Sequence, residues 1–180
     1  SLRGFDNAGC YRLIAGPGGL VDDDVTGCGN AIDARSPVVR RLIRESLVRW
    51  VTEIGVDGFR FDLAATLIRG DDGPVPDAPL LRELAEEPAL HGVKLVAEPW
   101  DIGPDGYALG LFPPPWREWS DRFRDDVRDQ WRDRSSWSVG SARLTGSAEV
   151  FRSPGRDATA GISAVTTHDG FTLADLVTYD

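Results

Sequence analysis

Three short apolar runs, each with a carboxylic acid at its last or next-to-last position, narrow the folds open to this chain more than any other feature. They are Val56-Asp57-Gly58-Phe59-Arg60-Phe61-Asp62-Leu63, Lys94-Leu95-Val96-Ala97-Glu98 and Ile162-Ser163-Ala164-Val165-Thr166-Thr167-His168-Asp169. Their lengths and their aromatic and branched side chains suit strands and are too short for helices. A helix leads into the first. Ser36-Pro37 reads as N-cap and first helical residue, Val39, Leu42, Ile43, Leu47, Trp50, Val51 and Ile54 recur with the period of one buried face, and Gly55 closes the helix. A loop from Asp71 to Pro79 then precedes a short helix from about Leu80 to Glu87, which Pro88 stops before the second run. Asp62, Glu98 and Asp169 are 36 and 71 positions apart (98 − 62 and 169 − 98), near one and two strand–helix units of roughly 30 residues. That spacing predicts parallel strands of an α/β barrel, with one further strand near Trp116 to Asp121. In a barrel, the C-terminal ends of different strands share one site. Taken singly, each acid reads more readily as a helix cap or a solvated loop residue. Three in register do not.

The neighbours of the acids suggest a division of labour. Arg60 and Asp62 are two apart in a strand and share a face, so a guanidinium is expected to hold the Asp62 carboxylate ionised, as a nucleophile requires. Glu98 lies between Leu95-Val96-Ala97 and Pro99-Trp100, a setting apolar enough to favour the protonated form of a donor. His168 adds a neutral hydrogen-bond donor beside Asp169. One ionised carboxylate, one protonated acid and a further carboxylate are the parts needed to cleave a glycosidic bond through an oxocarbenium-like state. Trp100, Tyr107, Phe112, Trp116 and Trp119 offer aromatic platforms for sugar rings, some of them core. Trp119, Phe123, Val127 and Trp131, spaced by four on a helix, are expected to face the core.

Elsewhere the readings are plainer. Residues 1 to 35 are rich in Gly and Asp without a sustained period and are expected to be loop; 132 to 160 read as irregular and polar. Asp22-Asp23-Asp24 lacks the alternate spacing of a calcium loop and is expected to face water. Cys10 and Cys28 read as reduced thiols. With 29 acidic against 20 basic residues and a net charge of −9, the 180-residue chain lacks the basic surface that nucleic acid or anionic lipid demands. No run reaches the roughly 18 apolar residues of a membrane span, and no signal segment is visible, so the expectation is a soluble, cytoplasmic protein. Met is absent and the chain opens Ser1-Leu2-Arg3-Gly4-Phe5, which suggests a piece of something longer.

The strings Gly58-Phe59-Arg60-Phe61-Asp62-Leu63-Ala64, Val96-Ala97-Glu98-Pro99-Trp100-Asp101 and Val165-Thr166-Thr167-His168-Asp169-Gly170-Phe171-Thr172-Leu173 resemble the second, third and fourth signature regions of the α-amylase superfamily, glycoside hydrolase family 13. Arg3-Gly4-Phe5-Asp6-Asn7, Thr26-Gly27-Cys28-Gly29-Asn30, Arg49-Trp50-Val51-Thr52-Glu53 and Glu118-Trp119-Ser120-Asp121-Arg122-Phe123-Arg124-Asp125 resemble its bacterial glycogen debranching and isoamylase group. The resemblance implies a partial TIM (β/α)8 barrel, from about the middle strands through the seventh, with long loops. The first signature region would then precede residue 1, and the last strand and a C-terminal β domain would follow residue 180. It further implies retaining hydrolysis of α-1,6 branch linkages in glycogen or limit dextrins without a cofactor or metal. Asp62 matches the nucleophile, Glu98 the general acid/base and Asp169 the transition-state stabiliser. Arg60 matches the residue that orients the nucleophile, His168 a substrate-binding histidine, and Trp100 is expected to bind substrate beside Glu98. For such a retaining pair the Asp62 and Glu98 carboxyls should stand about 5–5.5 Å apart. The competing readings are an α-1,4 hydrolase or transglycosylase of the same superfamily, and a catalytically incomplete carbohydrate-binding fragment. A doubly wound nucleotide-binding domain lacks its glycine-rich phosphate loop here.

Overall fold

The structure, a computed structural model, describes residues 2–132, 134, 136–152 and 155–178. The first thirty residues are more ordered than their composition suggests. Helix α1 (Arg3–Cys10), kinked at Asp6, is followed by an antiparallel hairpin of β1 (Leu13–Gly16) and β2 (Gly19–Asp22). What holds this region leaves no periodic trace. Arg3 pairs with Asp22 at 2.7 Å and Arg12 with Asp23 at 3.0 Å, and Asp24 accepts hydrogen bonds from the Thr26 and Gly27 amides. The acidic triplet is therefore spent on local structure. Cys10 is buried, Cys28 exposed, and both are free thiols.

Helix α2 (Pro37–Arg49) starts at Pro37 as its sequence indicates and continues as a wider π-type turn over Trp50–Ile54, which Gly55 ends in the left-handed region at φ 80°. Val39 and Leu47 are buried, and Ile43 and Val51 pack against the core. Leu42, Trp50 and Ile54 stay exposed, so the apolar stripe is wider than the face it buries.

Four parallel strands form the centre: β3 (Gly58–Phe61), β4 (Lys94–Ala97), β5 (Arg117–Trp119) and β6 (Gly161–Ile162). Each lies beside its neighbour in sequence, in the order β3-β4-β5-β6. That sequential order is the one a barrel requires, whereas a doubly wound sheet reverses. The register aligns Phe61 with Ala97, Ala97 with Glu118, and Trp119 with Ile162, which brings the acid-bearing strand ends to one edge. A fully buried 3-10 turn (Ala64–Ile68) and helix α3 (Pro79–Glu86) connect β3 to β4. Leu80, Leu81 and Leu84 of α3 join Ile68, Phe112 and Trp116 as the best-buried side chains, with the Phe61 and Trp116 rings 4.7 Å apart. Burying a side chain of this size contributes roughly 1.5–3 kcal/mol.

Three expectations are corrected. The strand foreseen over 162–169 has ladder partners only at Gly161–Ile162. Strand β5 ends at once, because Ser120 turns to cap α4 (Asp121–Trp131) by accepting from the Phe123 amide at 3.1 Å. Beyond Ile162 the carbonyl of Val165 is instead taken by the Arg128 guanidinium, 2.8 Å from Nε. The stripe Trp119, Phe123, Val127 and Trp131 is not core: no residue of α4 is buried and Trp131 is 83% exposed. This helix packs on α5 (Trp137–Leu144), itself within the stretch read as irregular, and Arg143 of α5 pairs with Asp126 of α4 at 2.6 Å. A last short helix, α6 (Leu173–Leu176), begins in a capping box of Thr172 and Asp175. Among the described residues, no helix is long and apolar enough to cross a membrane, and no cluster of His, Cys, Asp or Glu is arranged to hold a metal ion.

Candidate active site

Asp62 follows directly on β3 and Glu98 directly on β4. The parallel ladder sets both, since Glu98 N–H donates to the Phe61 carbonyl at 3.0 Å and Ala64 N–H returns to the Glu98 carbonyl at 2.8 Å. Between them stands Arg60, on the face of β3 that Asp62 continues. Its Nη1 donates to Asp62 Oδ1 at 2.6 Å, and its Nη2 lies 2.8 Å from Glu98 Oε1. One guanidinium thus binds both carboxylates.

The two acids differ in surroundings. The Asp62 side chain is 71% exposed and free to meet a ligand, whereas that of Glu98 is 5% exposed. The sequence places Glu98 among apolar neighbours, yet in the fold both of its oxygens have polar partners: Oε1 is ion-paired with Arg60, and Oε2 accepts from the Leu63 amide at 2.8 Å. Leu63 makes that contact from the left-handed region, φ 42° and ψ 49°. For a leucine such a conformation costs of order 1 kcal/mol or more, and residues held this way cluster at functional sites. No sequence signal marked Leu63.

Trp119 of β5 covers the other side of Arg60, whose guanidinium carbon is 4.3 Å from the ring centroid, a cation–π contact. Its ring is also 5.7 Å from that of His168. Of the two readings the sequence offers for Trp119, core residue and aromatic platform, its place beside Arg60 and His168 fits the second. His168 and Asp169 arrive from the exposed segment after β6, with His168 Nε2 3.4 Å from Asp169 Oδ2 and side chains 56% and 74% exposed. Glu98, Trp100, Trp119, Asp121, Arg124 and Asp169 line one cleft. The structure thus brings Asp62, Glu98, Asp169, Arg60 and His168 to one edge of the sheet, with Trp100 on the cleft wall. Tyr107 remains at the rim, donating to Asp121 at 2.8 Å, while Phe112 and Trp116 are core. Asp121 and Arg124 were not singled out as site residues; their position directly after a barrel strand was the available signal.

A carboxylate open to solvent, a second one buried beside it and a third across an aromatic-walled cleft form an arrangement suited to acid/base and nucleophilic work on a polyhydroxylated ligand. The chain is 44% identical over its whole length to "Glycogen operon protein GlgX homolog" of Mycobacterium tuberculosis (strain ATCC 25618 / H37Rv), covering 25% of that protein. It is 44% identical to "Glycogen debranching enzyme" of Cronobacter sakazakii, covering 27% of it, and 42% identical to "Isoamylase 3, chloroplastic" of Oryza sativa subsp. japonica, covering 23%. The chain belongs to the glycogen debranching and isoamylase group of the α-amylase superfamily. It spans about a quarter of the length of these relatives. Among solved structures, pullulanase from Bacillus acidopullulyticus matches 93% of this chain with a TM-score of 0.69 at 25% identity, the match covering 21% of that chain. Pullulanase from Anoxybacillus sp. LM18-11, solved with maltotriose, matches with a TM-score of 0.67 at 24% identity, covers 25% of that chain and supports the fold. The sheet is thus an arc of a (β/α)8 barrel. No family profile matches the chain.

Proposed function

We propose that residues 1–180 are the central part of the catalytic barrel of a cytoplasmic enzyme that hydrolyses α-1,6 branch linkages in glycogen or its limit dextrins with retention. In this reading Asp62 attacks the anomeric carbon of the branch while protonated Glu98 gives its proton to the glycosidic oxygen, so the main chain leaves with a free 6-hydroxyl and the branch stays on Asp62. Glu98, now a carboxylate, takes a proton from water, which displaces Asp62 and restores the original configuration. Asp169 and His168 hold sugar hydroxyls, and Trp100 and Trp119 offer ring faces to the sugar. The observation that carries this reading is Arg60 bound to both Asp62 and Glu98. It ties the two carboxyls to one guanidinium, the proximity that a retaining pair needs.

Product analysis on branched against linear glucan tests it in the full-length protein. Linear chains released from branch points, with no cleavage of linear glucan and no longer transfer products, are expected. Shortened linear glucan points instead to an α-1,4 hydrolase, and lengthened chains point to a transglycosylase.

A further inference from the structure

The loops leaving β3 and β4 are joined a second time, beyond the catalytic acids. Arg69 Nε and Nη2 donate to Asp101 Oδ2 and Oδ1 at 3.0 and 2.6 Å, and the two side chains are only 7% and 0% exposed. The same guanidinium reaches the Pro104 carbonyl at 3.0 Å. Arg12, itself held by Asp23, donates to the carbonyls of Arg69 and Gly70, each at 3.1 Å. The Asp101 pocket is closed: Gly103 N–H donates to Oδ1 at 2.9 Å, and a Cβ on Gly106 would stand 2.1 Å from that oxygen.

Taking two charges out of water is costly, and apolar side chains would anchor a loop as firmly. What a bidentate fork adds is direction. Only Pro99 and Trp100 separate Asp101 from Glu98, and both are fixed: Pro99 is fully buried, its carbonyl accepts from Ala108 at 2.7 Å, and Trp100 N–H donates to the Glu98 carbonyl at 2.9 Å. Orientation at Asp101 is therefore transmitted to Glu98 through a stiff strut. At the other end, Arg69 closes the buried turn that starts from Leu63, the donor to Glu98 Oε2.

We propose that Arg69 and Asp101 are positioning residues, whose buried pair sets the Glu98 carboxyl where its proton reaches the glycosidic oxygen. The proposal rests on the reading of Glu98 as general acid/base. Asp101→Asn strands a buried cation and risks unfolding, so the deciding variant is Arg69→Met/Asp101→Leu, which replaces the pair with apolar side chains. Made in the full-length protein, it is compared with wild type on a branched dextrin, whose leaving alcohol must be protonated, and on α-maltosyl fluoride, whose fluoride leaves unaided. Because kcat/KM reports steps up to bond cleavage, it should fall roughly 100-fold on the dextrin, the scale of a misplaced catalytic group, and stay near wild type on the fluoride. Equal losses on both substrates, no loss on either, or a double variant that does not fold makes the pair scaffold alone and overturns the proposal. Asp62→Asn is run alongside. If it retains wild-type turnover, the reading of the active site fails, whatever the pair does.

Discussion

At the β3–β4 end, Asp62 and Glu98 follow strands of four residues, share one guanidinium and are cross-linked by backbone hydrogen bonds on both sides of Glu98. At the β6 end, His168 and Asp169 lie six and seven residues past a two-residue strand, largely exposed, on a segment held by Thr167, Phe171 and Arg128 contacts. The first end is built as a rigid pair. The second reaches its place through a longer, more solvated path. Bond making and breaking demand fixed geometry, whereas holding hydroxyls tolerates adjustment on binding, so the proposed roles match the two constructions.

The largest expected effect tests the rigid end. Asp62→Asn should lower kcat by roughly 10⁴-fold or more, as loss of a catalytic nucleophile does, and Glu98→Gln by about 10²–10⁴-fold, both measured on branched dextrin. A mild loss at either residue would remove the distinction between the ends.

The next effect concerns β5, the strand between them. Burial pushes Glu118 up to about 7, against the lowering effect of the Gly110 amide and of Arg156, whose Nη2 is 2.5 Å away. A carboxyl raised in the fold binds more protons folded than unfolded between 4.5 and about 7. Its contribution to stability therefore declines as pH rises through that window. Arg156→Met takes away the cation and raises Glu118 further. It should cost up to about 3–5 kcal/mol at about pH 8, where Glu118 must either ionise without its cation or take up a proton, and less at about pH 5. Chemical denaturation at the two pH values checks this, and a cost independent of pH would refute it.

Smaller effects sharpen the contrast. Trp119→Leu removes the cation–π contact with Arg60 and the ring beside His168. It should cost about 0.5–2 kcal/mol in kcat/KM, felt in both kcat and KM because the ring serves both ends. Smallest is His168→Ala, expected to raise KM about 10-fold, the scale of roughly one hydrogen bond, with kcat little changed. A kcat loss without a KM change would place His168 with the rigid pair.

The rigid end was the more legible one in the sequence. Strands β3 and β4 and helices α2 and α3 announce themselves through apolar periodicity, Pro37, Gly55 and Pro88, because burial of apolar surface is what forms them. Asp62 and Glu98 stand at strand ends as the sequence indicates, whereas Asp169 lies seven residues beyond the end of β6. The β6 end was not: Val165 and Thr166 look strand-like, but pairing is settled by where β5 stops, at the Ser120 cap. Helix α1, the β1–β2 hairpin and helix α5 are tied by ion pairs, which carry no period. The pairs Arg69–Asp101 and Arg156–Glu118 join residues 32 and 38 positions apart. Among so many arginines and acids, sequence alone gives no way to match them. Trp119 was placed in the core because helical spacing was extended one residue too far, across the Ser120 cap into β5.

The most direct test of the account is to trap the glycosyl-enzyme. A 5-fluoro-α-glucosyl fluoride keeps a leaving group that departs unaided, while its ring fluorine destabilises the oxocarbenium-like state, so the covalent intermediate accumulates before water can displace it. Mass spectrometry of peptides from the full-length protein should then find one fluoroglucosyl group, on Asp62. A label on Glu98 or Asp169, or turnover with no labelled peptide and inverted product, would contradict the account.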